Sequence, residues 1–79
     1  MYLYVFTPSE NWRHMGGAIG VRAESFDHAL AIIARDLADY IREPLVRTAT
    51  HSRGDVWVLT HQVADPGPAG VVFHSQNDG

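Results

Sequence analysis

A chain of 79 residues, 46% hydrophobic and 19% charged, has room for one domain around one modest core and is too apolar for a disordered tail. The lack of cysteine excludes a disulfide framework and a thiolate metal site, and no run approaches the ~20 apolar residues of a membrane span. A formal net charge of −3, with arginine as the only strongly basic residue type, argues against phosphate-backbone binding, which needs a basic surface.

The chain opens on "MYLYVFTPSE", which lacks the basic n-region and long apolar run of a secretion signal. The expectation is a soluble protein of the cytoplasm. Tyr2 to Thr7 is aromatic and β-branched and is stopped by Pro8, which predicts a first strand. After the connection "NWRHMGG", Ala18 to Ala23 alternates and predicts a second strand, antiparallel to the first.

The strongest local signal is "ESFDHALAIIARDLADYIREP". Ser25 is suited to N-cap a helix, and Asp27 lies in the first turn, where the helix dipole favours a negative charge. Phe26, Ala29, Leu30, Ile33, Leu37, Tyr40 and Ile41 follow at helical spacing. The helix is predicted to end near Arg42, because the residue before Pro44 resists the α conformation.

Beyond Pro44, "LVRTAT" and "DVWVLTHQV" predict strands flanking a hairpin turn at "HSRG"; "DPGPAG" predicts a second turn and "VVFHS" a last strand. The polar 75–79 end is expected to fray. The order β-β-α-β-β-β implies an α+β domain over residues 1–79. A single helix packs on one face of a four- to five-stranded antiparallel sheet. Its expected core is Leu3, Val5, Ile19, Val21, Phe26, Leu30, Ile33, Leu37 and Leu59.

Candidate chemistry is sparse. His14, His28, His51, His61 and His74 show no close pairing on one element; His61 and His74 could meet only across a last hairpin, with no third ligand evident. No G-x-S-x-G elbow or cysteine offers a nucleophile, and Gly16, Gly17 and Gly20 precede a strand, whereas phosphate loops lead into helices. Arg53-Gly54-Asp55 reads as a turn. The expectation is no catalytic residue, no metal and no cofactor.

Surfaces remain. Asp36, Asp39 and Glu43 fall at i, i+3 and i+7 on a predicted helix edge, where they could complement a basic protein partner. The connection holding Glu10, Trp12 and Arg13 carries residue types enriched at interface hot spots. Equally, Trp12 or Met15 could fold back to seal the end of the sheet. The candidate partner-binding residues are therefore Glu10, Trp12, Arg13, Asp36, Asp39 and Glu43, with a homodimer as a further option.

The strand "MYLYVFTP", the polar connection, the "VRAES" strand-to-helix corner, the alanine-rich "HALAIIARDL" and the "EPLVR" that follows resemble the layout of small phage-encoded anti-CRISPR proteins directed at type I systems. That resemblance covers nearly the whole chain. It implies a non-enzymatic inhibitor in the host bacterial cytoplasm that binds the Cascade surveillance complex at a basic DNA-handling surface, blocking target DNA binding or nuclease recruitment. It implies no direct contact with nucleic acid or membrane. "SFDHALAIIARDL" is also similar to the helix of HicB-type antitoxins, which implies a toxin as the alternative partner.

Overall fold

The computed structural model describes residues 1–9, 17–41, 43–48 and 56–75. Five strands and one helix follow in the order β1 (Tyr2–Pro8), β2 (Ala18–Ala23), α1 (Phe26–Asp36), β3 (Leu45–Val46), β4 (Trp57–Ala64) and β5 (Gly70–Ser75). They form one sheet of order β3-β4-β1-β2-β5 with the helix on one face. This is an α+β fold.

The central pair, β1 and β2, is antiparallel, with Tyr2, Tyr4 and Phe6 opposite Ala23, Val21 and Ile19. Because side chains alternate along a strand, these six share one face. Tyr4, Phe6, Ile19, Val21 and Ala23 are buried there with Trp57 of β4, against Ala29, Ile32, Ile33 and Leu37. The Phe26 ring lies 6.4 Å from that of Tyr4 and 6.0 Å from that of Phe6, and the Arg47 guanidinium covers it at 4.2 Å from the ring centroid.

This core differs from the predicted one in β1. Leu3 and Val5 lie on the opposite face and are only half-buried, while Tyr4 and Phe6 occupy the interior. The strand is apolar at both parities, so alternation alone does not choose a face; the aromatic set brings more area to bury. Ile19, Val21, Ile33 and Leu37 are buried as expected, and Phe26, Leu30 and Leu59 pack partly buried against the core.

The helix begins where its cap predicts. The Ser25 hydroxyl accepts from the His28 N–H at 3.1 Å, and His28 Nδ1 in turn accepts from the Glu24 N–H at 3.1 Å. The return bond reaches the residue before the cap, one short of the N-cap N–H that the third residue of a capping box would take. The helix ends earlier than expected, at Asp36. The Leu37 N–H still reaches the Ile33 carbonyl, and then the N–H groups of Tyr40 and Ile41 both donate to the Leu37 carbonyl in a closing turn. Aspartate is a weak helix former, and Asp36 and Asp39 would place negative charge at the negative end of a longer helix.

The connections also depart from prediction. β3 is two residues long and runs parallel to β4, with Leu45 opposite Trp57 and Val46 opposite Val58, so the sheet is mostly antiparallel with one parallel pair. A tight hairpin cannot join parallel strands. The "HSRG" segment and Arg53-Gly54-Asp55 lie outside the described residues. Nor does "DPGPAG" close a hairpin: β4 and β5 sit on opposite sides of the β1–β2 pair. Residues 65–69 therefore cross the ends of two strands, a span of roughly 14 Å at ~4.8 Å per strand.

Arg22 holds that crossing in place. Its guanidinium meets the Asp65 carboxylate at 3.3 Å and the Pro68 carbonyl at 3.2 Å, while the Asp65 N–H donates to the Met1 carbonyl at 3.0 Å. A Cβ at Gly67 would fall 2.8 Å from Arg22 Cζ, so a larger residue there would have to push the guanidinium off Asp65 and Pro68. His61 and His74 consequently do not meet. His61 pairs with Val5 and His74 with Ile19, on opposite faces of the sheet.

Candidate functional site

Of the six residues singled out from the sequence, Glu10, Trp12 and Arg13 lie outside the described residues. The other three follow one another at the C-terminal end of α1, though not along a helix edge. Asp36 is the last helical residue, Asp39 is exposed in the turn that follows, and Glu43 is half-buried beyond it.

Arg35 binds Asp36 in a two-pronged contact, Nε to Oδ1 at 2.8 Å and a terminal nitrogen to Oδ2 at 3.0 Å. Those hydrogen bonds hold the Asp36 carboxyl below the ordinary carboxylate range and raise the arginine. Asp36 thus stays ionised further into acid than a free carboxylate. The pair is solvent-exposed, so it fixes local geometry more than it stabilises the fold.

The acidic character extends along the whole helix layer. Glu24 and Asp27 are exposed at the start of α1, and Asp36 and Asp39 at its end, with Arg35 the one arginine between them. Of the other described arginines, Arg22 is paired with Asp65 across the sheet, while Arg47 lies over the Phe26 ring at the start of the helix. The helix side therefore presents four exposed carboxylates against two arginines.

The opposite side of the sheet is chemically different. Register places Leu3 and Val5 of β1 beside Val63 and His61 of β4, and Val58 beside Thr7 and Val46. On the other flank, Gly20 pairs with Phe73 of β5. The ring lies flat against the glycine, since a Cβ there would meet it at 2.1 Å. Among the described residues no element covers this face; Val63 is 50% and Phe73 41% exposed. Arg22, at one end, is its only formally charged strand residue and is neutralised by Asp65.

The sequence reading missed this surface. Its signal was present in β1, whose two parities are both apolar, and in the valines of β4. A bulge at Thr60, between the Val5–His61 and Phe6–Leu59 pairs, shifts the alternation of β4 and conceals it.

Among the described residues, no three His, Asp or Glu side chains converge as metal ligands would, and no helix is long and apolar enough to cross a membrane. Set against protein-family models, curated proteins and solved structures, the chain matches none of them.

Proposed function

We propose that this chain is a non-enzymatic inhibitor that binds a protein partner with a basic, DNA-handling surface, a Cascade complex of a type I CRISPR system being the partner its sequence layout suggests. The supporting observation is the helix layer, where the carboxylates of Glu24, Asp27, Asp36 and Asp39 are exposed and outnumber the arginines Arg35 and Arg47. Such a surface is attracted to lysines and arginines, which speeds encounter and makes binding weaken as salt rises. Asp36 and Asp39 belong to this contact, Glu43 borders it, and Glu10, Trp12 and Arg13 supply an anchor in the same reading.

Co-purification from a host with an active type I system tests the proposal. Cascade subunits should accompany the wild-type chain, and the double charge reversal Asp36→Lys/Asp39→Lys should cut the association rate about tenfold or more at low salt. Capture of a small RNase toxin in their place would favour an antitoxin. Binding indifferent to both salt and charge reversal would contradict the acidic layer as the contact.

A further inference from the structure

We infer that the face of the sheet that no described element covers is the docking surface for a second copy of this chain, two sheets packing face to face with the helices outside. The first argument is composition. Leu3, Val5, Val46, Val58, Val63 and Phe73 lie across all the strands except β2, where Gly20 leaves room for the Phe73 ring to lie flat. Thr7, His61 and Arg22 stand among them, so the face is predominantly apolar with three polar positions, and a surface of that make-up marks an interaction site.

The second argument is charge. A two-fold interface brings each patch against itself, so any unbalanced charge meets its own kind. This face avoids that: Arg22 is its only formally charged strand residue, and its guanidinium is already paired with Asp65 and the Pro68 carbonyl. The acidic helix layer would repel a copy of itself; the sheet face would not. A partner selected for the carboxylates has no charge to recognise here.

The third argument is size. The molecule measures 32 × 25 × 17 Å, and its thin dimension is that of one helix layer on one sheet. A standard interface buries about 800 Å² per partner. That is the scale of the molecule's broadest cross-section, 32 × 25 Å, and roughly a sixth of the chain's 4979 Å² of accessible surface. Packing at the ~10 Å spacing of sandwiched sheets would turn half-buried valines into core.

The inference rests on the sheet face and not on the helix layer, so either can fail without the other. The test is sedimentation velocity of the full chain from about 1 to 500 μM, with circular dichroism to confirm folding. Wild type should pass from monomer to dimer within that range. Val63→Glu, at a half-exposed position that tolerates charge in the monomer, should weaken dimerisation by about 100-fold or more, as should Val58→Glu. Asp36→Lys/Asp39→Lys should leave the dimer intact. A wild-type chain that stays monomeric to 500 μM would overturn the inference. So would a dimer unaffected by both glutamates, which would have to form through another surface, such as the β5 edge. Protection of a Val63→Cys thiol that persists in dilute monomer would show that the chain covers this face itself, and would overturn it equally.

Discussion

The two faces of the sheet are made by the same strands from residues of similar hydrophobicity, yet among the described residues one is sealed and the other open. On the helix side, Tyr4, Phe6, Ile19 and Val21 are all but inaccessible; one residue along in β1, Leu3 and Val5 are only half-buried. What separates them is the capped helix that lies on one side only, and the bulkier aromatic side chains that it covers. Hydrophobicity along a strand therefore tells what can be buried, and the placement of the helix decides what is.

The largest effect expected from this contrast comes from neighbouring positions in β1. Phe6→Ala should destabilise by about 3–5 kcal/mol, because a fully buried ring leaves a cavity between sheet and helix. Val5→Thr, on the other face of the same strand, should cost under about 1 kcal/mol. Chemical denaturation of the two variants measures this directly, and similar losses would erase the distinction between the faces. On the helix side, Ile33→Ala should cost about 2–4 kcal/mol, a large share of a small domain's stability.

Smaller effects sharpen the picture at the edges of each face. Ser25→Ala should cost about 1 kcal/mol by removing the cap that starts the covering helix. On the open side, Gly20→Ala should cost on the order of 1 kcal/mol or less, since the added methyl displaces a Phe73 ring that is free to swing outward. In a Phe73→Ala background that penalty should vanish. A double-mutant cycle reads the coupling, and additive losses would mean that the ring and the glycine are not in contact.

Much of this architecture was legible in the chain. The element order and the helix start were readable because Ser25, Asp27 and the helical spacing of Phe26, Ala29, Leu30 and Ile33 are local signals that agree with one another. The face of β1 was not, because "YLYVFT" is apolar at both parities. The parallel β3–β4 pair and the crossing made by "DPGPAG" were not readable either. Turn chemistry shows where a chain bends, but not which strands it will lie between. The early end of α1 was in principle readable from Asp36 and Asp39, whose charge opposes the helix dipole. As for the site, Asp36 and Asp39 stand exposed as the sequence implies, whereas Val63 and Phe73 entered only through strand register, a property of tertiary pairing.

The central claim, that one face is sealed and the other open, can be tested with a single chemical measurement. The chain has no cysteine, so a single introduced thiol reports on one position. Val21 and Val63 are both strand valines, one fully buried beneath the helix and the other half-exposed on the far face. In dilute native solution, Val63→Cys should react with a disulfide reagent at nearly the rate of a free thiol. Val21→Cys should react only through unfolding, slower by orders of magnitude and accelerated by denaturant. Equal rates for the two thiols, or a protected Val63→Cys beside a reactive Val21→Cys, would contradict the account.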